Sequence, residues 1–333
     1  SVWWSPVELR SGDVIDAPVE GISRAGVTVG GMQSRVIAWD RIARVTGARQ
    51  REAEAFASFA TDAWRARSRL ARSDVDLARP IFERLYTSGE ELVGPTGLLI
   101  AEGAMRCRLD TDPRSATEAW LDALVLRATG VKIYGEPVAE GFTDRVTGLA
   151  PSLPPVFLDG RPPSAPKIGT GDARADAYAA MYAFAMGAPI TDLVRAASDD
   201  PAVEFVRLLV LAQRGEPAER DVARRLLEEQ LRTGDERDWR DAWRLGAIGR
   251  ALLRSEDEEQ RRRAVFVLLE IPARWGRAQP HLSAVALHDI ALGLEALGRS
   301  AEADLVRTEL VRVFPSHPAA QQAAQPTPDQ ESP

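Results

Sequence analysis

Three residues spaced seven apart open the search for chemistry. His281, His288 and Glu295 share one face of a predicted helix; imidazole and carboxylate groups build metal sites and acid–base pairs. Seven helical residues advance the chain by about 10 Å, so no two successive members can hold one ion. Carboxylates pair at Asp110 with Asp112 and at Asp199 with Asp200. Both pairs lie at predicted helix boundaries, where an acid caps free N–H groups rather than running acid–base chemistry. The run SEDEEQRRR (255–263) puts acids at a helix start and offers Glu258 and Arg262 as a solvated i,i+4 pair. A lone Cys107, set in a helical pattern beside Met105, can form neither an intramolecular disulfide nor a cysteine zinc site. GTGD (169–172) lacks the lysine of a phosphate loop, and no Gly-x-Ser-x-Gly elbow is present. No catalytic, cofactor or metal residue is therefore assigned, and the chain is read as non-catalytic.

Recognition chemistry is better represented. DWRDAW (238–243) sets Trp239 and Trp243 one helical turn apart, with Arg240 and Arg244 beside them. Exposed, this group would suit a peptide or a sugar ring with cation–π support; buried, it is core between stacked helices, the reading preferred. Trp3 and Trp4, with Trp39, form either an aromatic platform or the docking face of a small domain, and docking is preferred. Tyr178, Met181, Tyr182 and Met186 fall on one helix face, first as core and second as a groove. His288-Asp289 is similar to the metal-binding dyad of HD-type phosphohydrolases. The upstream His and downstream Asp of that pattern lack counterparts, since the other histidines are His281 and His317.

Composition narrows the partner class. A net charge of −7 disfavours nucleic acid, which would need a basic face hidden within that balance. Of 42 basic residues only Lys132 and Lys167 are lysines, and asparagine is absent; the codon bias of a GC-rich bacterial genome accounts for both. No apolar run approaches the roughly 18–20 residues of a membrane span. The sequence starts SVWW without Met, which is read either as a removed leader, the reading preferred, or as a cut within a longer chain. The expected compartment is thus periplasmic or extracellular, with the cytoplasm as alternative.

The elements that position these side chains change character along the chain. In residues 1–48, DVIDAPVEGI, GVTVGG and RVIAW alternate apolar and polar residues, as half-buried strands do. Five short strands are expected, with IAWDRIARV at the end, forming a small barrel or a curled sheet, and the pattern resembles SH3-like or Sm-like modules. From Arg51 the period becomes helical: Phe56, Phe59, Ala63 and Trp64 make one stripe, and Leu77, Ile81, Phe82 and Leu85 the next. LARSDVDLARPIFERLY (70–86), LLRSEDEEQRRRAVFVLLEIP (252–272) and LGRSAEADLVRTELVRVF (297–314) share a Leu-x-Arg-Ser turn followed by an amphipathic helix. These recurring helix pairs resemble degenerate tetratricopeptide repeats, with Ala291 and Ala303 at the small crossing positions and Pro315 closing the module. Spacings of about 38 to 43 residues exceed the roughly 34 of the strict repeat. The resemblance implies an α-solenoid.

The fold class is therefore mainly α: antiparallel helix-pair repeats preceded by a small β module. Residues 49–129 and 172–318 hold the two sets of pairs. The Pro- and Gly-rich stretch 130–171 between them is read as an ordered strap across the helices or as a linker, and 319–333 as a disordered tail. The function this implies is a scaffold for a protein or peptide partner. Two alternatives stay open: a polysaccharide-acting or carbohydrate-binding cleft near the strap, and a structural subunit of an exported assembly.

Overall fold

The structure, a computed structural model, describes residues 5–31, 34–131, 142–158, 170–234 and 238–324. Within them the chain is mainly helical, with fourteen helices and a small antiparallel sheet region at the N-terminus. It divides into two compact units: Ser1–Arg108 with Ser115–Gly141 and Thr170–Asp172, and Leu109–Arg114 with Phe142–Gly169 and Ala173–Pro333.

The first unit begins with six short strands: β1 (Val7–Leu9), β2 (Val14–Ile15), β3 (Val19–Ser23), β4 (Gly26–Val29), β5 (Arg35–Ile37) and β6 (Ile42–Val45). They form two three-stranded antiparallel sheets, ordered β2-β1-β6 and β3-β4-β5. Six strands stand where five are expected, and of the barrel and the curled sheet the barrel is not formed, since the sheets are not closed. Too few residues are available to fill a barrel, so the module completes its core with helical side chains. Val7, Val19, Val27, Val29, Ile37 and Trp39 pack with Ala53 and Ala60, which come from the two helices that follow.

Those helices are α1 (Gln50–Glu54) and α2 (Ala57–Leu70). The Trp39 ring stacks on Phe56 at 5.0 Å, its Nε1 donates to Ser23 O at 2.8 Å, and the buried Asp40 pairs with Arg67 at 2.6 Å. Trp39 therefore docks the strands on helix, as preferred. Gly26, which ends the β3–β4 turn, has φ +141°, and a Cβ there would lie 2.0 Å from Ile37 O; no other residue fits.

Helix α3 (Val75–Tyr86) follows α2 through a tight turn in which Ser73 takes the left-handed conformation at φ 60°. Ala78, Ile81, Phe82 and Leu85 are buried on it, whereas Leu77 and Trp64 of the expected stripes are exposed. Helix α4 (Gly94–Arg108) crosses α3 closely, and α5 (Pro113–Ala128) lays Ala123 and Leu126 against Leu98 and Ala101. Cys107 is buried, and burial pushes its thiol up to about 11.

The second unit contains α6 (Ala173–Ala185), α7 (Asp192–Arg195), α8 (Pro201–Arg214), α9 (Pro217–Thr233), α10 (Trp239–Leu253), α11 (Glu258–Trp275), α12 (Pro280–Ala296), α13 (Ser300–Val313) and α14 (Pro318–Ala323). Connections of two to four residues fold α8 on α9, α10 on α11 and α12 on α13 as antiparallel pairs. Asp200, Asp238 and Asp257 cap helix starts, and the Glu219 carboxylate accepts from Glu216 N–H at 2.9 Å. The second helices start at 217, 258 and 300, giving intervals of 41 and 42 residues.

Two layers result within this unit. Helices α6, α8, α10 and α12 are neighbours in series and bury most of their residues. Helices α9, α11 and α13 bury one stripe each; on α9 only Ala223 and Leu227 are buried. Val222 and Leu226, adjacent to them in sequence and at the same four-residue spacing, are 49% and 45% exposed, because α9 is covered on one side only. Helix α14 occupies the start of the segment read as a tail, with Ala319 and Ala320 buried. No helix among the described residues is long and apolar enough to cross a membrane.

The α3–α4 crossing gives a direct test of packing in the first unit. A Cβ on Gly103 would sit 2.1 Å from Phe82 Cε1, and the Phe82 ring is fully buried. Gly103→Ala should destabilise the chain by about 1–3 kcal/mol in denaturant unfolding. An unchanged midpoint would mean that the two helices have room to part.

Candidate functional site

Residues 142–158 have no regular secondary structure, yet Leu149, Ala150, Leu153, Val156 and Phe157 are buried. The middle of the 130–171 stretch is therefore an ordered strap packed on its unit; 132–141 and 159–169 lie outside the described residues. A buried segment without a ladder must satisfy its backbone some other way. The inner helices do this with side chains.

Along the strap the donors follow in sequence. Arg174 donates to Val146 O at 2.9 Å, Tyr178 OH to Thr147 O at 2.9 Å, and Trp243 Nε1 to Pro151 O at 3.1 Å. Tyr182 OH donates to Leu153 O at 2.7 Å, and Gln213 Nε2 to Pro155 O at 3.2 Å. His281 Nε2 meets Val156 O at 2.9 Å, Arg250 meets Phe157 O at 3.2 Å, and Arg114 meets Leu158 O at 3.3 Å. All four inner helices, α6, α8, α10 and α12, contribute. Burial pushes the Tyr178 and Tyr182 phenols above their ordinary values, so both stay protonated and able to donate.

At its start the strap holds itself. Asp144 Oδ1 accepts from Val146 N–H at 3.1 Å and from Thr147 N–H and Oγ1 at 2.8 Å. Burial works against the Asp144 carboxylate, but these bonds and nearby Arg240 hold its pKa below the usual range.

Of the residues singled out for recognition, Trp243 and Arg240 touch this strap. Trp243 is buried and stacks on Phe205 at 6.0 Å; the half-buried Trp239 meets it edge-on at 4.6 Å. Arg240 lies over the Trp239 ring and pairs with Asp238 at 3.0 Å and Asp144 at 3.8 Å. Arg244 lies over Phe205 and pairs with Asp241 at 2.8 Å. Trp3 and Trp4 fall outside the described residues.

His281, His288 and Glu295 serve three separate purposes. Glu295 pairs with Arg307 of α13 at 2.5 Å. His288 lines a cavity of about 240 Å³ together with Arg250, Arg254 and Asp289, and Asp289 pairs with Arg250 at 2.5 Å. His281 joins a relay that sequence reasoning missed, because its partner is 36 residues away. Ala319 N–H donates to His317 Nδ1 at 3.1 Å, which places the proton of His317 on Nε2. That N–H donates to His281 Nδ1 at 2.8 Å, leaving His281 Nε2–H to donate to Val156 O. One ring thus caps α14 and the other holds the strap. The pair borders a second cavity of about 300 Å³ with Arg114, Phe157 and Leu158. Each cavity has one carboxylate in its wall, Asp289 in the first and Asp112 in the second. No group of three or more His, Cys, Asp or Glu that could hold a metal ion occurs among the described residues.

No family model, curated protein or solved structure matches the chain.

Both histidines are held neutral. Burial, then His317, lowers the His281 pKa to about 3; burial, then His288, lowers that of His317 to about 4. Unfolding returns each to about 6.5, so the unfolded chain binds the extra protons. Their contribution is complete above pH 6.5 and is lost as pH falls towards 4 and 3, by at most roughly 1.4 kcal/mol per pH unit for each ring. Between pH 7 and 4 the wild type should lose more stability in denaturant titrations than the His281→Gln/His317→Gln double variant. Equal slopes would show that the relay does not carry this dependence. Separately, Tyr182→Phe should cost about 1–3 kcal/mol at pH 7 by leaving the Leu153 carbonyl buried and unbonded.

Proposed function

We propose that this protein is a non-catalytic interaction scaffold of tetratricopeptide-like helix pairs, whose second unit binds extended polypeptide along its inner helices. One observation carries the reading: eight carbonyls of an irregular segment are held by side-chain donors aligned on successive elements. A surface that seats its own strap in this way has the chemistry to seat a partner of similar shape. The repeat-like period supports the class by association, as helix-pair arrays use such layers for binding. Trp243 and Arg240 are then recognition residues whose occupant is the strap itself.

Leu153 is fully buried, so Leu153→Asp should release the strap while the helix pairs stay folded. A labelled peptide of residues 142–158 should bind that variant and change its tryptophan fluorescence, but should leave the wild type unaltered. Absence of binding, with circular dichroism intact and protease cutting the strap, would remove the proposal.

A further inference from the structure

The hydrogen bonds between strap and helices run in one direction. Every one is donated by a helix side chain, or by Arg114 at the start of α5, and accepted by a strap carbonyl. The reverse kind, a strap N–H donating to a helix side chain or carbonyl, does not occur among the described residues of 146–158. The receptor side explains this. Indole, phenol, imidazole and guanidinium groups point their N–H or O–H at the strap. Both nitrogens of His281 are in use, and the Asp289 acceptor is taken by Arg250.

A strap lying on such a surface must dispose of its own N–H groups. Three of its residues, Pro151, Pro154 and Pro155, have none. Seven more bond within the strap: Asp144 N–H to Leu149 O, Val146 and Thr147 N–H to Asp144 Oδ1, Gly148 N–H to Asp144 O, Leu149 N–H to Thr147 Oγ1, Leu153 N–H to Ala150 O, and Val156 N–H to Pro154 O. Proline here supplies something other than stiffness. It removes donors that the helices could not receive.

We infer that the ligand class of this surface is the proline-rich extended polypeptide, read through its carbonyl oxygens and selected for its missing N–H groups, with the strap as the resident example. The inference rests on the polypeptide-binding reading above and adds the selection rule. An ordinary extended peptide would bury N–H groups against donors, each at the cost of an unsatisfied polar group. The buried Leu153, Val156 and Phe157 flank the prolines and add apolar contact, so the preferred motif is apolar residues interspersed with prolines, as in Leu-Ala-Pro-Ser-Leu-Pro-Pro-Val-Phe-Leu.

The test uses the full chain carrying Leu153→Asp and three labelled peptides of residues 142–158, titrated by fluorescence anisotropy. The first has the native sequence, and the second has alanine at 151, 154 and 155. The third has N-methylalanine there, which lacks both the N–H and the ring. The native peptide should bind at least tenfold more tightly than the alanine peptide, and the N-methylated peptide should recover most of the difference. Equal binding of native and alanine peptides would overturn the selection rule while leaving polypeptide binding intact. An N-methylated peptide as weak as the alanine one would overturn it too, assigning the preference to ring shape. Failure of all three would instead count against the polypeptide-binding reading.

Discussion

The second unit depends on a mismatch resolved by side chains: a buried stretch of backbone with no strand or helix of its own. Its carbonyls would be costly to bury without partners. The inner helices remove that cost with tyrosine, tryptophan, glutamine, histidine and arginine donors placed where the strap passes. The rest of the architecture follows from making those helices a continuous floor. Helices α9, α11 and α13 cover the other side of that floor, and their outward faces carry solvated arginine–glutamate pairs beside exposed apolar side chains such as Leu226, Phe266 and Leu305.

The same requirement accounts for several of the polar residues inside this unit. Gln213, Asp289, His281 and His317 are all buried. Gln213 and His281 bond the strap, Asp289 orients Arg250 towards Phe157 O, and His317 orients His281. Asp241 orients Arg244 over Phe205, on which Trp243 stacks. Acids that looked like chemistry in isolation are here the fixings of donors.

Much of the helical body was legible because its signals are local. The Leu-x-Arg-Ser turns, the apolar stripes and the Asp200 and Asp257 caps act within one or two turns of chain. The failures share a cause. Val222 and Leu226 have the spacing of a core stripe, but whether a helix is covered on one side or two is set by neighbours that periodicity does not contain. Five short strands were readable where six form, Val7–Leu9 lying outside the alternating stretches, whereas closure depends on how many residues remain to fill an interior. The strap was legible only as an anomaly, too apolar to float and too rich in proline to be helical. Its receptors were visible as a Tyr178/Tyr182 face and a Trp239/Trp243 pair, but nothing local joins them to carbonyls 29 to 92 residues away.

Those sequence separations also bear on how the molecule comes together. Helix pairs joined by a few residues can dock as soon as they are made, since closing a short loop costs little entropy. The strap precedes the floor it lies on, and its links to Trp243, Arg250 and His281 span 92, 93 and 125 positions. During synthesis the proline-rich stretch emerges before α8, α10 and α12 exist, so its bonds to Gln213, Trp243, Arg250 and His281 can form only once each of these helices has been made. Its full seating therefore cannot precede α12, and the bond from His317 to His281 comes after α13.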